Sequence, residues 1–119
     1  MNSRRSVARE ERLQQRLEAG FVADRFPEVV SIVVSMLYKQ KGIAKSLLRT
    51  VNFFPGSYAF FRISCLSKGC VEGGFDLSQV IAGMVGKHSE AAKGELNCEG
   101  KDPSSDHSAI VYEVAIRYT

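Results

Sequence analysis

The sequence holds three cysteines, Cys65, Cys70 and Cys98, and two histidines, His88 and His107. Zinc binds thiolates and imidazoles tetrahedrally, and three of the first with one of the second is a standard set. Cys65 and Cys70 have C-x4-C spacing within "CLSKGC", and Cys98 and His107 bracket the short stretch "EGKDPSSD". A strand-to-loop exit would present the first pair and a neighbouring hairpin the second. Cys65, Cys70, Cys98 and His107 are therefore the candidate ligands of a structural zinc site, with His88 or Asp106 competing for the fourth position. Four protein ligands leave no place for a substrate, so such a site would act as a clamp and its binding energy would count as folding energy. The cysteines also have a plainer reading. Cys65 shares a strand face with Ala59, Phe61 and Ile63, and Cys98 shares one with Leu96; a buried cysteine behaves as a small hydrophobe.

The same residues could carry nucleophilic chemistry. A cysteine nucleophile needs a base, usually histidine, and often a third group to orient that base. Cys70 precedes a predicted helix start, where the helix dipole favours thiolate. His88 or His107 would be the base, and Asp106 could orient His107. Asp76, the predicted helix cap, opposes thiolate formation, and no family nucleophile signature is present.

A second chemistry is basic. Arg4, Arg5, Arg9, Arg12 and Arg16 recur at helical spacing and would form a face able to meet phosphates or an acidic partner, diluted by Glu10, Glu11 and Glu18. Phe53, Phe54, Tyr58, Phe60 and Arg62 mix aromatic and basic residues as a base-stacking surface does. Core packing accounts for most of these rings, whereas Tyr58 and Phe60 share a strand face with Arg62 and read as an open patch. The glycines at 73 and 74 belong to no phosphate-binding loop motif.

The chain that must position these groups has 119 residues, enough for one domain that buries roughly two-thirds of its unfolded surface. Hydrophobic residues at 45% and charged residues at 24% are ordinary globular values. A net charge of +3 does not by itself imply a nucleic-acid partner. The N-terminal stretch is charged throughout, without the apolar core of a secretory signal. The longest apolar run, Val29 to Tyr38, falls far short of the ~20 residues a membrane helix needs. An odd number of cysteines without a secretion signal points to a reducing cytoplasm.

Residues 4 to 19 are rich in strong helix formers, and Gly20 is a natural stop. From Pro27, the residues Val30, Ile32, Val34, Met36 and Tyr38 alternate with Ser31 and Ser35, the period of a strand. "QKGIAK" reads as a turn. "SLLRTVNFF" and "YAFFRISCL" read as two further strands joined by the turn "PGS". Asp76 with Gln79 matches a capping box. Leu77, Val80, Ile81, Met84 and Val85 form an apolar helical stripe, which predicts a helix over 77–88. "AAKGELNCEG" and "HSAIVYEVAIRYT" alternate as strands, the latter with Ile110, Tyr112, Val114, Ile116 and Tyr118 on one face.

The expected fold is α+β, in the order α-β-β-β-α-β-β. A largely antiparallel sheet of about five strands carries the 77–88 helix on its apolar face. Residues 1–20 form a charged helix or arm and residues 21–119 a single domain. Val29, Val33 and Leu37 are apolar on the other face of their strand, which calls for cover from the N-terminal helix or a second subunit. The function these features suggest is a non-enzymatic binding or regulatory module, supported by structural zinc and engaging a protein partner or a second copy. Two alternatives are a small cysteine-dependent enzyme using Cys70 and a nucleic-acid-binding accessory protein using the arginine face. No membrane partner is expected.

Overall fold

The computed structural model describes residues 4–39, 47–64, 74–98 and 109–119. Helix α1 (Arg4–Ala19) forms where the helix formers cluster. Gly20 ends it at φ +73°, a left-handed conformation that a Cβ disfavours. A single turn of helix that no sequence pattern announces, α2 (Val22–Arg25), follows and buries Val22.

Beyond them lie the strands β1 (Val29–Lys39), β2 (Leu47–Phe53), β3 (Arg62–Ser64), β4 (Gly74–Asp76), β5 (Ala91–Asn97) and β6 (Ala109–Tyr118), with helix α3 (Ser78–Gly86) between β4 and β5. The fold is α+β, and among the described residues every strand pairing is antiparallel. The main sheet runs in the order β2-β1-β6-β5, and β3 pairs with β4 in a separate ribbon.

Alternation sets the faces. Ile32, Val34, Met36 and Tyr38 of β1 and Ile110, Tyr112, Val114 and Ile116 of β6 all point into the core. Val30 departs from its expected inward position. The β1–β6 register shifts between Val29 and Ser31, and across that irregularity Val29 is buried while Val30 faces out. An extra residue in one strand reverses the parity that follows it.

The inner face is covered by β3, β4, α3 and the segment that links β2 to β3. The expected hairpin pairs β2 with residues 58–66; among the described residues 58–64 it does not form, and 65 and 66 lie outside them. The turn at 55–57 is present, with the Ser57 amide donating to the Phe54 carbonyl at 2.9 Å. The chain then leaves the sheet edge, and among its described residues 58–64 Arg62–Ser64 become strand, paired with β4. The expected faces nonetheless hold, with Ala59, Phe61 and Ile63 buried and Tyr58, Phe60 and Arg62 half-buried. Phe61 packs edge-on against Phe53 with 5.0 Å between ring centroids, and Phe75 meets Tyr38 in the same way at 5.9 Å. Each buried phenylalanine contributes about 1.5–3 kcal/mol.

Helix α3 is shorter than the expected 77–88. Leu77 is its N-cap and makes no side-chain cap bond, so the anticipated capping box is absent. Asp76 belongs to β4, and its Oδ1 accepts from the Ser78 amide at 2.9 Å. Lys87 closes the helix and His88 turns out of it at φ +54°. Ile81 and Met84 are buried as the stripe requires.

The outer face of the sheet is not covered by α1. Leu48 on that face is 68% exposed, and Leu13 and Leu17 on the helix are 55% and 52% exposed. The molecule measures 18 Å in its thinnest direction, as two layers about 10 Å apart require. No helix among the described residues is long and apolar enough to cross a membrane.

Candidate functional site

Because residues 54–62 leave β2 and cross to the inner layer, a wedge opens beside the β2 edge. Arg16, Arg49, Val51, Asn52, Phe53, Ser57, Tyr58, Phe60, Arg62 and Ile63 line it. Its volume is about 310 Å³, the small end of the ~300–1,000 Å³ typical of ligand sites.

Three arginines from three elements meet there. Arg16 comes from the last turn of α1, Arg49 from the inward-facing positions of the β2 edge, and Arg62 from the first residue of β3. Backbone bonds hold the helix end against the crossing segment. The Ala59 amide donates to the Gly20 carbonyl at 2.7 Å, Val22 to Ser57 at 2.9 Å, and Ala23 to Pro55 at 3.0 Å. The Arg16 guanidinium consequently lies 5.7 Å from the centre of the Phe60 ring, within cation–π range. Tyr58 is braced on one face by Phe21, stacked at 4.9 Å and 15°. Asp76 stands opposite Arg62 in the β3–β4 ladder, so one carboxylate balances part of this charge. The groove offers cations, braced aromatic rings and the amide and hydroxyl of Asn52 and Ser57. It can hold an anionic group beside a flat one.

Of the five N-terminal arginines named from sequence, Arg16 reaches the groove. Arg9 and Arg12 lie on α1 at positions i−7 and i−4 from it, one helical face. Arg4 and Arg5 begin the helix, and their side chains are outside the described residues. Arg49 was not singled out from sequence. It is an isolated cation in a strand, and only the sheet order, which makes β2 an edge, brings it beside Arg16.

Cys65, Cys70, Asp106 and His107 lie outside the described residues. Cys98 follows β5 directly and packs, half-buried, against the core. His88 stacks on Tyr118 with 3.9 Å between ring centroids, and the Tyr118 hydroxyl donates to the Ser89 carbonyl at 2.7 Å. Among the described residues no group of three or more His, Cys, Asp or Glu side chains could hold a metal ion.

A second hollow, about 320 Å³, lies on the outer sheet face among Val33, Ser35, Ala91 and Ala115. The charges at its rim, Lys93 and Glu113, are ladder partners of opposite sign, so it presents no convergent charge. No family model, curated protein or solved structure matches this chain.

Proposed function

We propose that the chain is a non-enzymatic binding module whose groove takes a nucleotide unit, the base against Tyr58 and Phe60 and the phosphate among the arginines. The observation that carries this reading is the meeting of Arg16, Arg49 and Arg62 with those two rings in one groove. A net charge of +3 is too mild to attract polyanions everywhere, but it matters little where three cations converge. Guanidinium–phosphate bonds are charge-assisted and stronger than neutral ones, and stacking a base on an aromatic ring contributes ~1–3 kcal/mol. A volume near 310 Å³ suits one such unit. At about −0.3 kcal/mol per heavy atom, a ligand of about twenty atoms binds with ~−6 kcal/mol, tens of micromolar at best.

Calorimetric titration with adenosine monophosphate, adenosine and inorganic phosphate tests the reading. The monophosphate should bind more tightly than either fragment, and Arg49→Ala, at an exposed position, should weaken it at least fivefold. Adenosine binding as well as its monophosphate, or an Arg49→Ala variant that binds normally, would refute it.

Structural zinc at Cys65, Cys70, Cys98 and His107 is a second, independent proposal. The described β3–β4 ladder ends at the Ser64–Gly74 pair, and the described β5–β6 ladder ends at the Asn97–Ala109 pair. Phe61 lies beside Phe53, which pairs with Ile32 near the start of β1, whereas Phe75, opposite Ile63, lies beside Tyr38 near its end. The β3–β4 ladder thus runs toward the end of the sheet where Tyr38 pairs with Ile110 and Lys39 with Ala109, so both described ladders end on the same side of the sheet, which supports this reading. Metal analysis of purified protein should find one zinc per chain, lost in Cys65→Ser and in Cys98→Ser; protein without zinc sinks the proposal.

A further inference from the structure

The groove does not end at Arg16. Arg9, Arg12 and Arg16 occupy one face of α1 at spacings of three and four residues, and the position of Arg16 over Phe60 turns that face toward the groove. Leu13 and Leu17 border the arginine stripe. Glu11 and Glu18 fall on the opposite side of the helix, and the Glu18 carboxylate there accepts from Gln14 at 3.0 Å. The stripe is therefore basic along its length, although α1 as a whole carries charges of both signs. From Arg9 to Arg16 it runs about 10 Å at 1.5 Å per residue. Along that length Arg9 and Arg12 can each meet one further phosphate of a strand.

We infer that the ligand of the groove is a single-stranded polynucleotide, which enters a base between the aromatic side chains and runs its backbone up the arginine face of α1. This inference rests on the groove reading above and extends it from one nucleotide unit to a strand. A duplex fits less well, because the bases of a duplex are not available to stack on Tyr58 and Phe60. Arg16, Arg49 and Arg62 would then surround the phosphate of the unit in the groove, and Arg9 and Arg12 would each meet one further phosphate. With a slope of about −0.7 per neutralised phosphate in log–log form, three phosphates make the affinity fall about twentyfold between 50 mM and 200 mM salt. Without Arg9 and Arg12 the same change of salt should cost only about two- to threefold.

The test is fluorescence anisotropy with 5′-labelled oligothymidylates of one, four and twelve nucleotides, each read across that range of salt. The double variant Arg9→Ala/Arg12→Ala keeps α1 intact, since alanine is the strongest helix former. Expected are an affinity that rises from the monomer to the twelve-mer and a double variant that binds the monomer normally but the twelve-mer with the smaller salt dependence. A double variant matching the parent on the twelve-mer, in affinity and in slope, overturns the strand path while Arg49→Ala still reports on the groove. Loss of the monomer and the twelve-mer alike from the unmodified protein overturns both readings. Tighter binding to a polyglutamate of equal charge than to the twelve-mer also overturns the inference and assigns the arginine face to an acidic protein partner.

Discussion

Replacing Gly74 with alanine should be among the most damaging single-atom additions in this protein. Gly74 opens β4 opposite Ser64 at φ +156°, where residues with a Cβ are strained. A Cβ placed there would lie 2.7 Å from the Ile63 carbonyl oxygen. That oxygen is backbone, so relief requires β3 and β4 to separate. Backbone strain of this kind costs about 1–3 kcal/mol and overpacking a similar amount, so the sum is about 3 kcal/mol. For a chain of this length that corresponds to a fall in Tm of about 12 °C. Gly94 supplies the internal control. A Cβ there would lie 2.6 Å from the Tyr112 hydroxyl oxygen and 2.9 Å from the ring carbon bearing it. The obstacle in that case is the ring of the buried Tyr112 rather than backbone, and no positive φ adds strain, so Gly94→Ala should cost the overpacking alone, about 1–2 kcal/mol. Urea denaturation followed by far-ultraviolet circular dichroism measures both. Because β3 carries Arg62, Gly74→Ala should also weaken monophosphate binding, while Gly94→Ala should not. If Gly74→Ala proves as stable as the parent, or less damaging than Gly94→Ala, the close approach of β3 to β4 is wrong.

Other expectations are shorter to state. Burial, then the charges of Glu28 and Glu90, push the Tyr118 hydroxyl above the ordinary tyrosine range. The unfolded phenol loses its proton near pH ~10 while the folded one keeps it, so stability is undiminished below that pH and falls as pH rises toward the folded value; Tyr118→Phe should flatten this alkaline loss in urea titrations at pH 8 to 11 and cost about 1 kcal/mol at neutral pH through the missing bond to Ser89. Phe61→Ala should cost about 3–5 kcal/mol and Phe54→Ala, more than half exposed, under about 0.5 kcal/mol; equal losses would contradict the assignment of the inner layer. Val29→Thr should destabilise markedly and Val30→Thr hardly at all, and the reverse order in thermal melts would remove the irregularity at the start of β1.

Where a pattern is local, the sequence was a faithful guide. The alternation of Ile110 to Tyr118 and the stripe of Ile81 and Met84 each follow from the period of one element, and both faces are as read. The inversion at Val29 and Val30 was hidden because both residues are valine, and only the pairing of Val29 with Tyr118 and of Ser31 with Arg117 reveals which is inside. Strand β4 was hidden for another reason: three residues beginning with glycine carry too little alternation to register. The groove was half legible. Tyr58, Phe60 and Arg62 announce one face by parity, and Arg16 belongs to a visible run of arginines. Their meeting, and the arrival of Arg49, depend on the order β2-β1-β6-β5, a long-range property that no window along the chain contains.

The groove follows from how the sheet finds its cover. Helix α3 has nine residues, about 13 Å of helix, whereas strands of ten and eleven residues such as β6 and β1 span more than about 30 Å. One such helix cannot cover the inner face. Had residues 58–64 continued as a fifth strand beside β2, Phe61 and Ile63 would have joined that face and enlarged the area left bare. By leaving the sheet edge, the segment becomes cover instead: Phe61 and Ile63 turn down onto Phe53 and its neighbours, and β4 adds Phe75. The alternation that turns those residues inward must turn Tyr58, Phe60 and Arg62 the other way, toward the end of α1 and the β2 edge. The need to bury one face of a seven-residue stretch thus presents its opposite face, two aromatic rings and a guanidinium, beside Arg16 and Arg49.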